Sequence, residues 1–269
     1  MHSLVAFLSG LLALVSGTTQ YTKGGAGSTN TPTVITATDT SGRPLRIPIF
    51  IYHTIANGKS TETKSQQVFS TEPALLDKQL TYLDTHGYTT VTMKEVADML
   101  KHGTTSPIAH PVALTFDDGW VTQYINALPI LKKHHAKATF YIFSNPVSKD
   151  ERFMTWEQLA ELRDSGMEIG DHTLSHPLLS KLTPDELHKE MYDSKKTLEA
   201  KLGVSVTNFA SPFGYTSPAV VAELKKDGYE TGRTTDKGSL HTQGSAYTLT
   251  GYIVHHDMHD FIWALEYAK

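Results

Sequence analysis

Val112-Ala113-Leu114-Thr115-Phe116-Asp117-Asp118-Gly119 is the stretch that decides the fold. A short, mostly apolar run passes directly into two carboxylates and a glycine. A run of this length, closed by a turn signal, reads as a strand buried on both faces, as in a parallel sheet. Neighbouring residues on a strand point to opposite faces. The chain turns at Gly119, however, so Asp117 and Asp118 can both line one pocket. Two acids at the end of an apolar strand are costly unless something neutralises them. The plainer alternative is an exposed Asp-Asp-Gly turn.

Strand and helix signals alternate on both sides of this stretch. Upstream, residues 47–52 form an apolar run of strand length, and a helix is expected over 71–86, capped by Ser70 and stopped by Gly87. Thr92 and Glu95 have capping-box spacing and open a helix that ends before Gly103. Downstream come a helix over 125–134, a strand over 138–143, a helix opened by Thr155 and Gln158 and ended at Gly166, and a strand over 167–170. Thr183, Pro184 and Glu186 mark the clearest helix start. Leu187, Met191, Leu198 and Leu202 then share one face, Gly203 ends the helix, and residues 206–210 form the next strand. This βαβα rhythm predicts a parallel α/β sheet, open or closed into a barrel. Functional residues then belong at the carboxyl ends of the strands.

The chain of 269 residues suits one such domain, expected over 45–269. Residues 18–44, rich in Gly, Ser and Thr, read as a flexible linker. Residues 1–17 hold a short apolar run of signal-peptide character, too short for a comfortable membrane span, although no Lys or Arg precedes it. Leu14-Val15-Ser16-Gly17 resembles the start of a lipoprotein box, but Thr18 stands where the acylated cysteine would fall. Export, with no stable membrane span in the mature form, is the expectation. The net charge of −4, with acids and bases interspersed, gives no sign of the concentrated basic face that nucleic-acid binders usually carry, so no nucleic-acid partner is expected. There is no cysteine, so disulfides and thiolate metal sites are excluded. Any metal must be held by imidazole and carboxylate, a donor set suited to zinc or a similar divalent ion.

Two further segments follow strands. In Asp171-His172-Thr173-Leu174-Ser175-His176-Pro177, the two histidines four residues apart can converge on one ion if the backbone turns. With Asp118 they offer two nitrogens and one oxygen, which leaves a position open for water, as in hydrolytic zinc sites. Ser211-Pro212-Phe213-Gly214 is either a tight turn or a groove wall, with an aromatic surface for a sugar and backbone N–H groups for an oxyanion. Trp120 and Trp156 belong either to a groove or to the core.

The ordered set Thr115-Phe116-Asp117-Asp118-Gly119, His172 to Pro177, and Ser211 to Gly214 resembles the polysaccharide deacetylase family, also called the NodB-homology or carbohydrate esterase family 4 domain. The resemblance implies a distorted (β/α) barrel of about seven parallel strands, with a divalent metal, usually zinc and sometimes cobalt or nickel. It implies Asp117 as general base, Asp118, His172 and His176 as metal ligands, and Phe213, with Pro212 before it, at the oxyanion hole. It implies an N-acetylated polysaccharide as substrate, such as poly-N-acetylglucosamine, peptidoglycan or a chitin-like chain, and extracytoplasmic action; a monomer is expected. Two features depart from the family pattern. Ala210 stands where many members have an arginine that pairs with the catalytic aspartate. Residues 253–257 only approximate the usual C-terminal Leu-x-x-His. Both departures resemble the poly-N-acetylglucosamine deacetylase subgroup, which takes its catalytic histidine from a Tyr-His after the first strand. Tyr52-His53 stands there, which implies His53 as general acid, with His256 as rival. An O-acetyl esterase acting on acetylated xylan and a non-catalytic carbohydrate-binding relative stay open beside the deacetylase reading.

Overall fold

A computed structural model describes residues 44–57, 69–102, 108–255 and 257–266. The expectations for residues 1–17, for almost all of 18–44 and for His256 lie outside the described residues.

The main sheet is built from β1 (Ile49–Tyr52), β2 (Thr89–Val91), β3 (Pro111–Phe116), β4 (Thr139–Ile142), β5 (Glu168–Asp171), β6 (Asn208–Ala210), β7 (Thr231–Arg233) and β8 (Tyr252–Ile253). Seven of these run in the order β7-β6-β5-β4-β3-β1-β8, and β2 pairs with the first half of β3. Every pairing in this sheet is parallel. Helices alternate with the strands: α1 (Pro73–Thr85), α2 (Met93–His102), α3 (Leu128–Lys133), α4 (Trp156–Asp164), α5 (Pro184–His188), α6 (Ser194–Leu202), α7 (Pro218–Lys226) and α8 (Met258–Glu266).

The sheet curls into a half-barrel. Strands β3 and β7 are four steps apart, roughly 19 Å in a flat sheet at about 4.8 Å per step. Yet Arg233 on β7 reaches the end of β3 with its side chain. A parallel bridge between Arg233 and Leu249, and the Gly251 N–H donating to Asp236 O at 2.8 Å, bring β7 back toward the segment that enters β8.

The period of two along the strands separates two cores. Phe50, Tyr52, Leu114, Phe116, Phe140 and Ile142 pack outward against Leu76 and Leu80 of α1 and Leu159 of α4. Tyr52, Phe116 and Phe140 stack in a row, with ring centroids 5.0 and 4.7 Å apart. Ile49, Ala113, Tyr141 and Ala210 form the other cluster, with Val96 and Met99 of α2.

Capping chemistry explains the helix starts. Thr92, Thr155 and Thr183 make the reciprocal bonds expected of them with Glu95, Gln158 and Glu186. Gly203 ends α6 at φ 65°, a left-handed turn that costs glycine little. Three boundaries differ from expectation. Ser70 caps nothing; it pairs with Thr54 in a two-residue strand, and Glu72 precedes α1. The helix before β4 opens earlier than expected, at residue 121, and runs through a π-turn, Gln123–Ala127. A second π-turn, Lys189–Asp193, joins α5 to α6. Among the described residues, no helix is long and apolar enough to cross a membrane.

Candidate active site

Asp117, Asp118, His172, His176 and Phe213 leave the carboxyl ends of β3, β5 and β6, the side where a parallel α/β sheet gathers its chemistry. Asp118 takes φ 76° and Gly119 φ 82°, and this double left-handed turn swings Asp118 out of strand alternation. The expected turn at Gly119 is therefore present, and it separates the surroundings of the two acids.

Asp118 Oδ1 lies 3.5 Å from His172 Nε2 and 3.5 Å from His176 Nε2. Its Oδ2 accepts a hydrogen bond from Trp120 Nε1 at 2.8 Å. Trp120 therefore serves this carboxylate, and its ring stacks on Phe153 with centroids 4.5 Å apart. His172 Nδ1 lies 2.7 Å from Ala210 O, so Nδ1 carries a proton and Nε2 is the nitrogen turned toward Asp118. The His176 N–H donates to Thr173 Oγ1 at 3.0 Å, and the Ser175 hydroxyl bonds Glu190. Thr173 and Ser175 thus fix the loop. Beneath it Asp171 accepts from Ser194, Tyr229 and the Thr173 N–H. Burial pushes the Asp171 carboxyl up to about 7 against those bonds.

These three residues fit a tetrahedral metal. Bonds of about 2.0–2.1 Å to zinc place neighbouring ligand atoms roughly 3.4 Å apart, close to both Asp118 separations. Burial opposes ionisation of Asp118, but the hydrogen bond with His172 and the imidazoles around it hold its pKa well below the usual range. Burial, then the charge of His172, lower His176 to about 4, so it is neutral and able to ligate at neutral pH. His188, Glu223 and Asp227 also converge, but Lys226 Nζ lies 2.9 Å from Glu223 Oε1 and 3.2 Å from His188 Nδ1. That group is already an ion-pair network between α5 and α7.

Asp117 is almost fully buried and faces Arg233, whose Nη2 lies 2.6 Å from both carboxylate oxygens. The sequence reading missed Arg233. It is the register partner of Ala210, the position that departs from the family pattern. Parallel partners in register point to the same face, so the cation absent at Ala210 is supplied one strand over. His53 Nε2 lies 3.9 Å from Asp117 Oδ2, and Phe69 packs 5.1 Å from its ring. Gln123, inside the first π-turn, was also missed. Its Nε2 donates to His53 O at 2.8 Å and to Asp117 O at 2.5 Å, tying the two loops together.

Pro212 is buried, whereas Phe213 is 64 % exposed at φ 57°, its ring 4.7 Å from that of His176. Phe213 is thus a rim residue beside the histidines. Trp156 packs against the outer core.

The family model described as Polysaccharide deacetylase matches residues 105–232. The putative polysaccharide deacetylase YxkH of Bacillus subtilis is 31 % identical over 207 residues, which is 77 % of this chain and 71 % of that protein. The peptidoglycan-N-acetylmuramic acid deacetylase PdaC of the same organism is 32 % identical over 134 residues, 49 % of this chain but only 28 % of PdaC. Among solved structures, the Streptococcus pyogenes deacetylase PplD in complex with acetate superposes with a TM-score of 0.76 at 29 % identity, over 83 % of this chain and 99 % of that one.

Proposed function

The chain belongs to the polysaccharide deacetylase family, and from that premise we propose that it removes N-acetyl groups from an N-acetylglucosamine-containing polysaccharide outside the cytoplasm, using one divalent metal, most naturally zinc. One observation carries the proposal: a metal-fitting Asp118, His172 and His176 group stands beside a buried aspartate that has its own arginine and a histidine 3.9 Å away. The peptidoglycan activity named for PdaC supports an N-acetylated envelope glycan as substrate.

Asp118, His172 and His176 would hold the metal, with cobalt or nickel as alternatives to zinc. When bound, it supplies Lewis-acid polarisation of the acetyl carbonyl and lowers the pKa of water. Asp117, fixed by Arg233, takes the proton of the attacking water. The new C–O bond pushes the carbonyl electrons onto oxygen, and the Phe213 N–H, after Pro212, stabilises that charge. The adduct then collapses, the C–N bond breaks, and His53 gives its proton to the leaving amine. Acetate and a free amino sugar result, with no covalent enzyme intermediate.

The test is acetate release from N-acetylglucosamine oligomers, with chelator and with added zinc, cobalt or nickel. Metal-dependent acetate is the expected result. Release from acetylated xylan alone would replace the reading with an O-acetyl esterase. Asp117→Asn should abolish turnover and spare metal binding; near-normal activity in that variant would remove Asp117 from the role of base.

A further inference from the structure

We infer that the cleft between α8 and the carboxyl end of β8 is a second sugar subsite, holding one pyranose unit of the polymer while a neighbouring unit reacts. The inference rests on the deacetylase reading above. The cleft encloses about 230 Å³, below the pockets of about 300–1,000 Å³ that take drug-sized ligands and in scale with a single ring.

Position comes first. One wall is Thr235, two residues beyond the Arg233 that holds Asp117. Thr235 also abuts the Phe213 loop: a Cβ added to Gly214 would fall 2.0 Å from Thr235 Oγ1. Another wall follows β8. There the Val254 N–H donates to Ile51 O at 2.9 Å, which sets residues 254–255 beside Tyr52 and His53. The cleft is therefore walled by continuations of the strands that carry Arg233 and, through β1, His53. A polymer lying across Phe213 has this cleft next along the rim.

Chemistry comes second. The lining is amphipathic, as a pyranose requires. Trp263 leaves half its surface exposed and offers an indole face to the C–H face of a sugar. Lys237, Asp257 and Asp260 place a donor and carboxylate acceptors on the same cleft for ring hydroxyls. None of these residues belongs to the metal-fitting group or to the Asp117 pair.

The experiment compares the full chain with Trp263→Ala, a change at a half-exposed position that leaves the catalytic residues untouched. With N-acetylglucosamine oligomers of two to six units, KM of the parent should fall sharply at the length that first reaches the cleft. In Trp263→Ala that fall should vanish, raising KM for the hexamer about tenfold with kcat unchanged. Lys237→Ala should show a smaller effect of the same form. Calorimetric titration of Asp117→Asn with the hexamer supplies a readout independent of turnover, and adding Trp263→Ala should weaken binding about tenfold. Unchanged hexamer binding there, or a length series that Trp263→Ala leaves intact, overturns the subsite. Absence of acetate release from every oligomer, with hexamer binding still dependent on Trp263, overturns the deacetylase reading and leaves the subsite standing.

Discussion

Arg233 and Asp117 meet across the inside of the half-barrel, Nη2 standing 2.6 Å from each carboxylate oxygen. The two residues are 116 apart in sequence, and the contact requires the curl of the sheet. Removing one partner of a buried ion pair typically costs about 3–5 kcal/mol, and a displaced catalytic group about 10²-fold in rate. Arg233→Ala should therefore lower both Tm and kcat. Adding Ala210→Arg to that variant should recover part of each, because the two positions are register partners on one face. Near-parental kcat in folded Arg233→Ala would show that the arginine does not position the base.

Trp120 donates to the Asp118 oxygen that faces away from the histidines. Groups that orient a metal ligand in this way are commonly worth 10–100-fold in affinity. Trp120→Phe keeps the stacking on Phe153 and deletes only the N–H. We expect zinc affinity to fall by about that factor, with the circular dichroism spectrum unchanged. Equal affinity in parent and variant would count against the assignment.

Without metal, Asp118, His172 and His176 crowd one carboxylate and two imidazoles into a largely buried site. Chelation should lower Tm and abolish acetate release, and added zinc should restore both. Activity that persists after exhaustive chelation would exclude the metal reading.

His134 links α3 to α1: Nδ1 lies 2.6 Å from Asp84 Oδ2, and Nε2 lies 2.8 Å from Asp77 Oδ1. Burial lowers its pKa, but the bonds to Asp84 and Asp77 outweigh that, and the net shift is upward from 6.5. Hydrogen bonds from Lys133, then from His134, lower Asp77. The histidine contribution is complete below the unfolded value of about 6.5 and is lost as pH rises through the higher folded value. The Asp77 contribution is present above its unfolded value and is lost as pH falls through the lower folded one. Between pH 6 and 9, Tm should fall more in the parent than in His134→Gln. Parallel curves would rule out this histidine as a source of the pH dependence.

The parts of the fold legible in sequence are those with local signals. Apolar runs announced β1, β3 and β4, and threonine caps announced α2, α4 and α5, because burial and capping are written into a few adjacent residues. The Asp-Asp-Gly and His-x-x-x-His segments were legible for the same reason, and the structure brings Asp118 and both histidines together. The strands beyond β6 were not. Strand β7 is the polar triplet Thr231–Arg233 and β8 is two residues long, so neither has a hydrophobic period to detect. They are strands because long-range neighbours pair with them. Arg233 was missed with its strand, since only register places it beside Ala210. Gln123 was missed because its bonds depend on a π-turn that shifts the start of a helix.

Four residues at the site hold left-handed backbone without being glycine: Asp118 at φ 76°, Thr173 at 72°, His176 at 58° and Phe213 at 57°. Such conformations cost of order 1–3 kcal/mol each in strained residues. Glycine would relax any of them, yet glycine has no carboxylate, hydroxyl, imidazole or ring to offer. Selection for heat resistance alone would therefore favour relaxing these very positions, and variants recovered that way should come out tougher and inert. A thermostabilised catalyst built on this chain needs its gains from the helical shell, with these four loop positions left alone.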